Sequence, residues 1–201
     1  PPDALYTFKH ALVQDAAYDS LLKSRRQELH AKIARVIEQR FPATKDTEPE
    51  VLAHHYTQAG QPRSAIPLWH KAGEAALARM ALTESISHLN RGLDLIATLP
   101  AAAERDASEL ALRIPLGTAW QALKGWAVPE VWASRHPALA LAKSLQRNDA
   151  LVSVPESLRT FVLCLGRVAE SMMWVEEMLA TAKATGAADM LIVGNSAACN
   201  G

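Results

Sequence analysis

Small residues at helical spacing around one large one constrain this fold more than any other feature. The stretch is WHKAGEAALARMALTESISHLNRGLDL, residues 69 to 95. Two helix axes approach to about 8 Å only where the side chains between them are small. In this stretch Trp69 is followed by the pair Ala72 and Gly73, then by Ala76. A second apolar stretch carries Ser85, Leu89 and Gly92. A glycine inside a helix costs roughly 1 kcal/mol relative to alanine, so Gly92 makes sense only where another backbone packs on it. The spacing predicts two antiparallel helices in close contact, with Trp69 and Leu89 filling the space that the small residues leave.

The rest of the chain agrees with a helical reading. Hydrophobic residues make up 49% of 201 residues but aromatics only 5%, and the apolar content is mostly Ala and Leu. Such a mixture packs as helices, whereas sheets favour β-branched and aromatic residues. Predicted helices run from about Ser64 to Arg79 and Thr83 to Thr98. A longer one ends at Gly125, with a kink expected at Pro115. The next segment is interrupted by Pro137, and two more run roughly 155–167 and 168–185, with a last one from about Ala188. Earlier, HALVQDAAYDSLL reads as a helix. Ser24 and Gln27 have capping-box form, and the following helix places Leu29, Ile33, Val36 and Ile37 on one face, predicted to be its core face. Thr47 and Glu50 form a second such box, and Gly60 sits where a left-handed carboxyl cap belongs. Only residues 5–9, LYTFK, alternate like a short strand. The expected fold is all-α, an antiparallel helix-hairpin solenoid.

Charge and motifs exclude several functions. Lys plus Arg total 21 and Asp plus Glu total 21, so the basic surplus that drives phosphate-backbone binding is missing and nucleic acid is not an expected partner. No stretch approaches the ~20 apolar residues of a membrane span. Cys164 and Cys199 lack metal-ligand spacing and fit a reduced cytoplasm. There is no phosphate-binding G-x-x-x-x-G-K-[ST] loop, no H-E-x-x-H and no nucleophile elbow, so no catalytic residue, metal or cofactor is expected in this segment. His54, His55, His70 and His88 lack convergent ligand geometry, because adjacent helical residues point about 100° apart. They read as packing or surface residues.

Two clusters remain as candidate interaction sites. Lys23, Arg25 and Arg26 form a local basic group, either a solvated helix start or a contact to phosphate or to a neighbouring module. Trp120, Trp126 and Trp132 flank the Gly125 turn and are either core filler or a peptide-binding platform.

The pattern from Trp69 to Leu93 resembles the tetratricopeptide repeat: Trp69, Ala72, Gly73, Ala76, Ser85, Leu89 and Gly92 fall on its packing positions. Ala76 and Ser85 depart from the usual aromatic and alanine. Leu52, Ala53 and Tyr56, followed by Ala65 and Trp69, resemble a second register. Two longer passages, YTFKHALVQDAAYDSLLKSRRQELHAKIARVIE and the one running from PEVLAHHYTQAG to LGTAWQALKGWAVPEV, resemble bacterial multidomain signalling proteins that join an adenylate/guanylate cyclase, an ATPase module and tetratricopeptide repeats. The resemblance covers residues 6 to 130. It implies that residues 1–42 end the winged-helix-like or linker region of the ATPase module. Residues 43–201 then begin the repeats, the whole being a piece of a longer protein. It further implies a non-catalytic regulatory segment that binds protein, whether its own ATPase and cyclase modules or a separate one. Two alternatives stand beside it: the repeat region of an ATPase-type transcriptional regulator, and a small-molecule sensor domain.

Overall fold

The computed structural model describes residues 18–185. Among these the chain is all-α, with no strand. Its helices are α1 (Lys23–Arg40), α2 (Thr44–Thr47), α3 (Pro49–Gln58), α4 (Pro62–Ala78), α5 (Leu82–Ile96), α6 (Ala103–Lys124), α7 (Pro129–Ser144), α8 (Asn148–Cys164) and α9 (Val168–Thr185). The strand expected at 5–9, the helix starting at His10 and the one from Ala188 lie largely or wholly outside the described residues. Contacts divide the chain into Pro1–Ala65 and Ile66–Gly201. α1 packs on α3, so residues 43–65 belong to the same compact unit as α1.

In the second unit each helix packs on its neighbours in sequence, α5 on α6, α6 on α7, α7 on α8 and α8 on α9. That is the arrangement of a helical-repeat fold. A glycine recurs at successive crossings. A Cβ added to Gly73 of α4 would lie 2.5 Å from Leu89 of α5, and one on Gly92 of α5 would lie 2.8 Å from Leu112 of α6. On Gly117 of α6 it would lie 2.5 Å from the Arg135 Nε of α7. Leu89 and Leu112 are fully buried, so each leucine fills the groove that a missing methyl opens. Ser85 is also fully buried and donates its hydroxyl to the Gly73 carbonyl oxygen at 2.8 Å, a bond that alanine could not make. Trp69 is buried beside the same crossing. It stacks on His88 with ring centroids 5.3 Å apart, and the Arg91 guanidinium lies 5.0 Å from its centroid. Ala72 and Ala76 are buried with it.

Several helix boundaries differ from the sequence reading. α1 starts at Lys23 with Leu22 as its N-cap residue, and α3 starts at Pro49 after Glu48, neither with a side-chain cap. Ser24 therefore lies inside the first turn. Thr47 belongs to the short α2 and donates its hydroxyl back to the Ala43 carbonyl. At α3 and α7 a proline occupies the first turn, where its missing N–H would have had no helical partner. Interior prolines do not stop the helices either: Pro115, Pro137 and Pro155 lie within α6, α7 and α8. α8 accordingly begins at Asn148, ahead of the expected start near 155. Pro137 leaves the Ala133 carbonyl, four residues back, without its helical donor. Arg113 of α6 donates to that oxygen at 3.2 Å.

The expected stop signals at Gly60 and Gly125 both have positive φ, +69° and +94°. The turn at Gly60 closes with the Gln61 N–H donated to the Tyr56 carbonyl. The same bond pattern recurs at Met80, Gln146 and Gly166, all with positive φ.

The face of α1 that is buried is not the expected one. Leu29, Ile33 and Val36 are exposed among the described residues, while His30, Ala31 and Ala34 are buried. α3 brings the bulk, Leu52 and Tyr56, and two helices that approach closely need small side chains on the facing side.

The glycine crossings predict a sign reversal. Gly73→Leu should unfold the α4–α5 pair, since overpacking here displaces a fully buried leucine. Gly73→Ala should cost about 1–3 kcal/mol in the native background. In a Leu89→Ala background the same change should instead stabilise, by up to about 1 kcal/mol of helix propensity. Urea unfolding of the four variants measures this, and a destabilising Gly73→Ala in both backgrounds would refute the packing account.

Candidate functional site

The basic residues at the start of α1 are separated by the fold. Lys23 and Arg26 line a cleft of about 420 Å³ together with Tyr18, Gln27, Thr57, Gln58 and Gly60. Arg25 is not part of that lining and pairs with Glu28 at 3.0 Å on the exposed side of the helix. The end of α3 supplies the opposite wall. A Cβ on Gly60 would meet the Gln27 side-chain nitrogen at 2.9 Å, so glycine serves both the left-handed turn and the approach of that amide. Arg26 is held in place on two sides. It donates to Asp19 at 3.2 Å, and its guanidinium carbon lies 5.2 Å from the centroid of the Tyr18 ring. Lys23 is exposed and forms no ion pair among the described residues.

Tyr18 joins this cleft to a histidine cluster. Its hydroxyl and His30 Nε2 are 2.8 Å apart, and His30 Nδ1 lies 2.8 Å from His55 Nδ1. The His54 ring completes the group, with centroids 5.8 Å from His30 and 5.5 Å from His55. His54 and His55 are adjacent on α3 with their rings in edge contact, and His30, from the facing helix, reaches both. Sequence reasoning missed this because His30 is remote in the chain, and the pairing exists only once α1 packs on α3. His70 and His88 do not join. His70 faces Glu74 at 3.6 Å, and His88 sits on Trp69 and near Glu84. Among the described residues no group of three or more His, Cys, Asp or Glu side chains is arranged to hold a metal ion.

The cluster is built for neutral rings. Between the two Nδ1 atoms one must donate and the other accept. A first proton on His30 keeps both its bonds, with two N–H donors facing His55 and Tyr18. A second proton on His55 sets N–H against N–H. Burial is the main force lowering the pKa of His30, followed by the nearby His54 charge. Burial also leads at His55, followed by His30 and His54.

Trp120 and Trp132 pack against one apolar cluster, Val131, Phe161 and Val162, and Trp126 does not join them. Trp132 is partly buried against the α6–α9 core. It stacks on His136 at 5.0 Å and packs on Phe161 and Trp174. Trp120 is partly buried between two apolar clusters, with the Lys124 ammonium 4.7 Å from its centroid. Trp126 alone of the three is exposed, in the turn after α6.

An unanticipated residue is Arg135. It is buried at 5% exposure and occupies the place against Gly117 that leucines hold at the two preceding crossings. It donates to the Thr118 hydroxyl at 2.8 Å, but its Nε has no acceptor among the described residues. Burial pushes its pKa down to about 10, so it stays charged at neutral pH. The signal was legible only as an Arg at a helical core position, and the Pro137 that follows drew attention away from it.

No family model matches the chain, and no solved structure matches it. An uncharacterized protein of Rhizobium meliloti (strain 1021) is similar at 29% identity over 117 residues, which cover 58% of this chain and 11% of that protein. The chain therefore aligns with only a small part of that relative's length. No helix among the described residues is long and apolar enough to cross a membrane.

Two measurements check this geometry. The His30 and His55 pKa values are lowered on folding, so their stabilisation is complete above the unfolded value of about 6.5. It is lost as pH falls from there through the folded values. Thermal unfolding should show the first unit weakening between pH 7.5 and 5, and His30→Gln should flatten that dependence; an unchanged slope would sink the account. Separately, Arg135→Leu should leave stability equal or higher, because exchanging a buried charge for an apolar side chain removes a desolvation cost. A loss above about 2 kcal/mol in urea unfolding would mean the guanidinium is structurally required.

Proposed function

We propose that this chain is a non-catalytic helical-repeat segment that binds protein and regulates a bacterial multidomain signalling protein. The parent class is the one joining an adenylate/guanylate cyclase, an ATPase module and tetratricopeptide repeats. The observation that carries the proposal is the serial crossing of α4 to α7, with Gly73, Gly92 and Gly117 each receiving a side chain of the next helix. Nearest-neighbour stacking of this kind builds a framework whose outward surfaces are free to contact partners. The resemblance over residues 6 to 130 supplies the signalling context. A bacterial relative that extends far beyond the matched segment agrees with a large parent protein.

The mechanism is non-covalent. A partner that binds one arrangement of the helices more tightly than another shifts the parent between conformations by that difference in affinity. The partner is protein, either the parent's own ATPase and cyclase modules or a separate chain. An ATPase-type transcriptional regulator would use the same segment with a DNA-binding output domain.

The purified chain should form no cyclic nucleotide from ATP or GTP and release no phosphate from either. Turnover that follows the protein through purification would overturn the non-catalytic reading. The complete reading frame should encode cyclase carboxylates and a phosphate-binding loop upstream. A helix-turn-helix output domain in their place would transfer the segment to the regulator class.

A further inference from the structure

The cleft between the start of α1 and the end of α3 is lined mainly by side chains that donate hydrogen bonds. Lys23 and Arg26 can only donate, and both carry positive charge. Gln27 and Gln58 can each turn an amide NH₂ inward. Thr57 spends its hydroxyl proton on the Ala53 carbonyl at 2.8 Å, and the Tyr18 hydroxyl is tied to His30. Among the described residues no carboxylate lines the cavity, which disfavours a cation. An apolar ligand finds little to bury against, because the walls are polar or charged side chains and the Gly60 backbone. Donors reaching one space from two helices match a tetrahedral oxyanion, whose oxygens accept from several directions at once. The volume of about 420 Å³ exceeds what a bare phosphate fills and leaves room for the group esterified to it.

We propose that the Lys23–Arg26 cleft binds the phosphate group of a small phosphate ester. Arg26 is the orienting residue, since Asp19 and the Tyr18 ring already fix where its guanidinium points. Asp19 is itself exposed, with 74% of its side chain accessible. Such a surface pair is weak, and a dianion can displace it. Lys23 carries a charge that no described residue neutralises and is the residue free to close on the ligand. Gln27 approaches Gly60 closely and lines the cleft with its amide. This inference stands apart from the regulatory function proposed above, because it concerns a small anionic ligand and not a protein partner.

Titration calorimetry of the 201-residue chain with inorganic phosphate, pyrophosphate and adenosine monophosphate tests it, together with amide chemical-shift mapping. Saturable one-to-one binding is expected for at least one of the three. Shifts should centre on the Gly60 amide and the Gln27 and Gln58 side-chain amides. Lys23→Gln should weaken binding about tenfold, the loss of one charge-assisted contact. Arg25→Gln removes an equal charge outside the cleft and should change it by no more than about twofold. Lys23 is exposed and forms no ion pair among the described residues, so its replacement does not threaten their fold. Tighter binding of the nucleotide than of inorganic phosphate would identify an ester, and equal binding would narrow the site to the phosphoryl group; both sustain the assignment. Absence of saturable binding, equal weakening by both variants, or shifts confined to other basic residues would each overturn it.

Discussion

The second unit depends on one steric condition: a missing Cβ at successive helix crossings. Where Gly73, Gly92 and Gly117 lie, the next helix drops a side chain into the groove, at distances no Cβ could tolerate. Close approach brings the flanking small residues into contact as well. That is why Ala72, Ala76 and Ser85 are buried together with Trp69 and Leu89. The glycine penalty within a helix is local and small, whereas the packing it permits is shared by both helices of a pair. Each helix then uses a second face for its other neighbour, and the chain builds its core by repetition.

Local costs are accepted wherever this packing needs them. Met80 and Gln146 hold left-handed backbone that glycine would adopt more easily, and they do so in turns closed like those at Gly60 and Gly166. Prolines stand inside α6, α7 and α8, and at Pro137 a side chain from the preceding helix supplies the donor that the proline took away. Arg135 belongs with these. It keeps the shape of a knob against Gly117 but brings a charge that among the described residues finds only a hydroxyl, so its presence is not explained by stability.

The first unit uses a different chemistry. Its facing helices bury His30 with Ala31 and Ala34 against a helix carrying Leu52, Ala53 and Tyr56. The polar groups of that interior are paired with each other, from Tyr18 through His30 to His55. Tyr18 also underlies Arg26, so the protonation of the histidines and the electrostatics of the cleft share one side chain. A neutral cluster beside a positive cleft avoids adding like charge to a place already rich in it.

The all-α class, the order of helices and the small-residue crossing at Trp69–Gly92 were legible in the sequence. They depend on spacing within a few turns, and helical periodicity reports that directly. Helix ends were less legible: Pro137 and Pro155 read as breaks because the sequence does not show which neighbour supplies a lost donor. Which face of α1 is buried could not be read either. Leu29, Ile33 and Val36 form the better apolar stripe, yet the shape of α3 selects the side with alanines. Only the tertiary structure brought His30 against His54 and His55 and divided Lys23 and Arg26 from Arg25. It alone set Arg135 where leucine stands at the two preceding crossings. Periodicity along one helix describes that helix alone, and the partner of a side chain on its surface is chosen by the helix that packs against it.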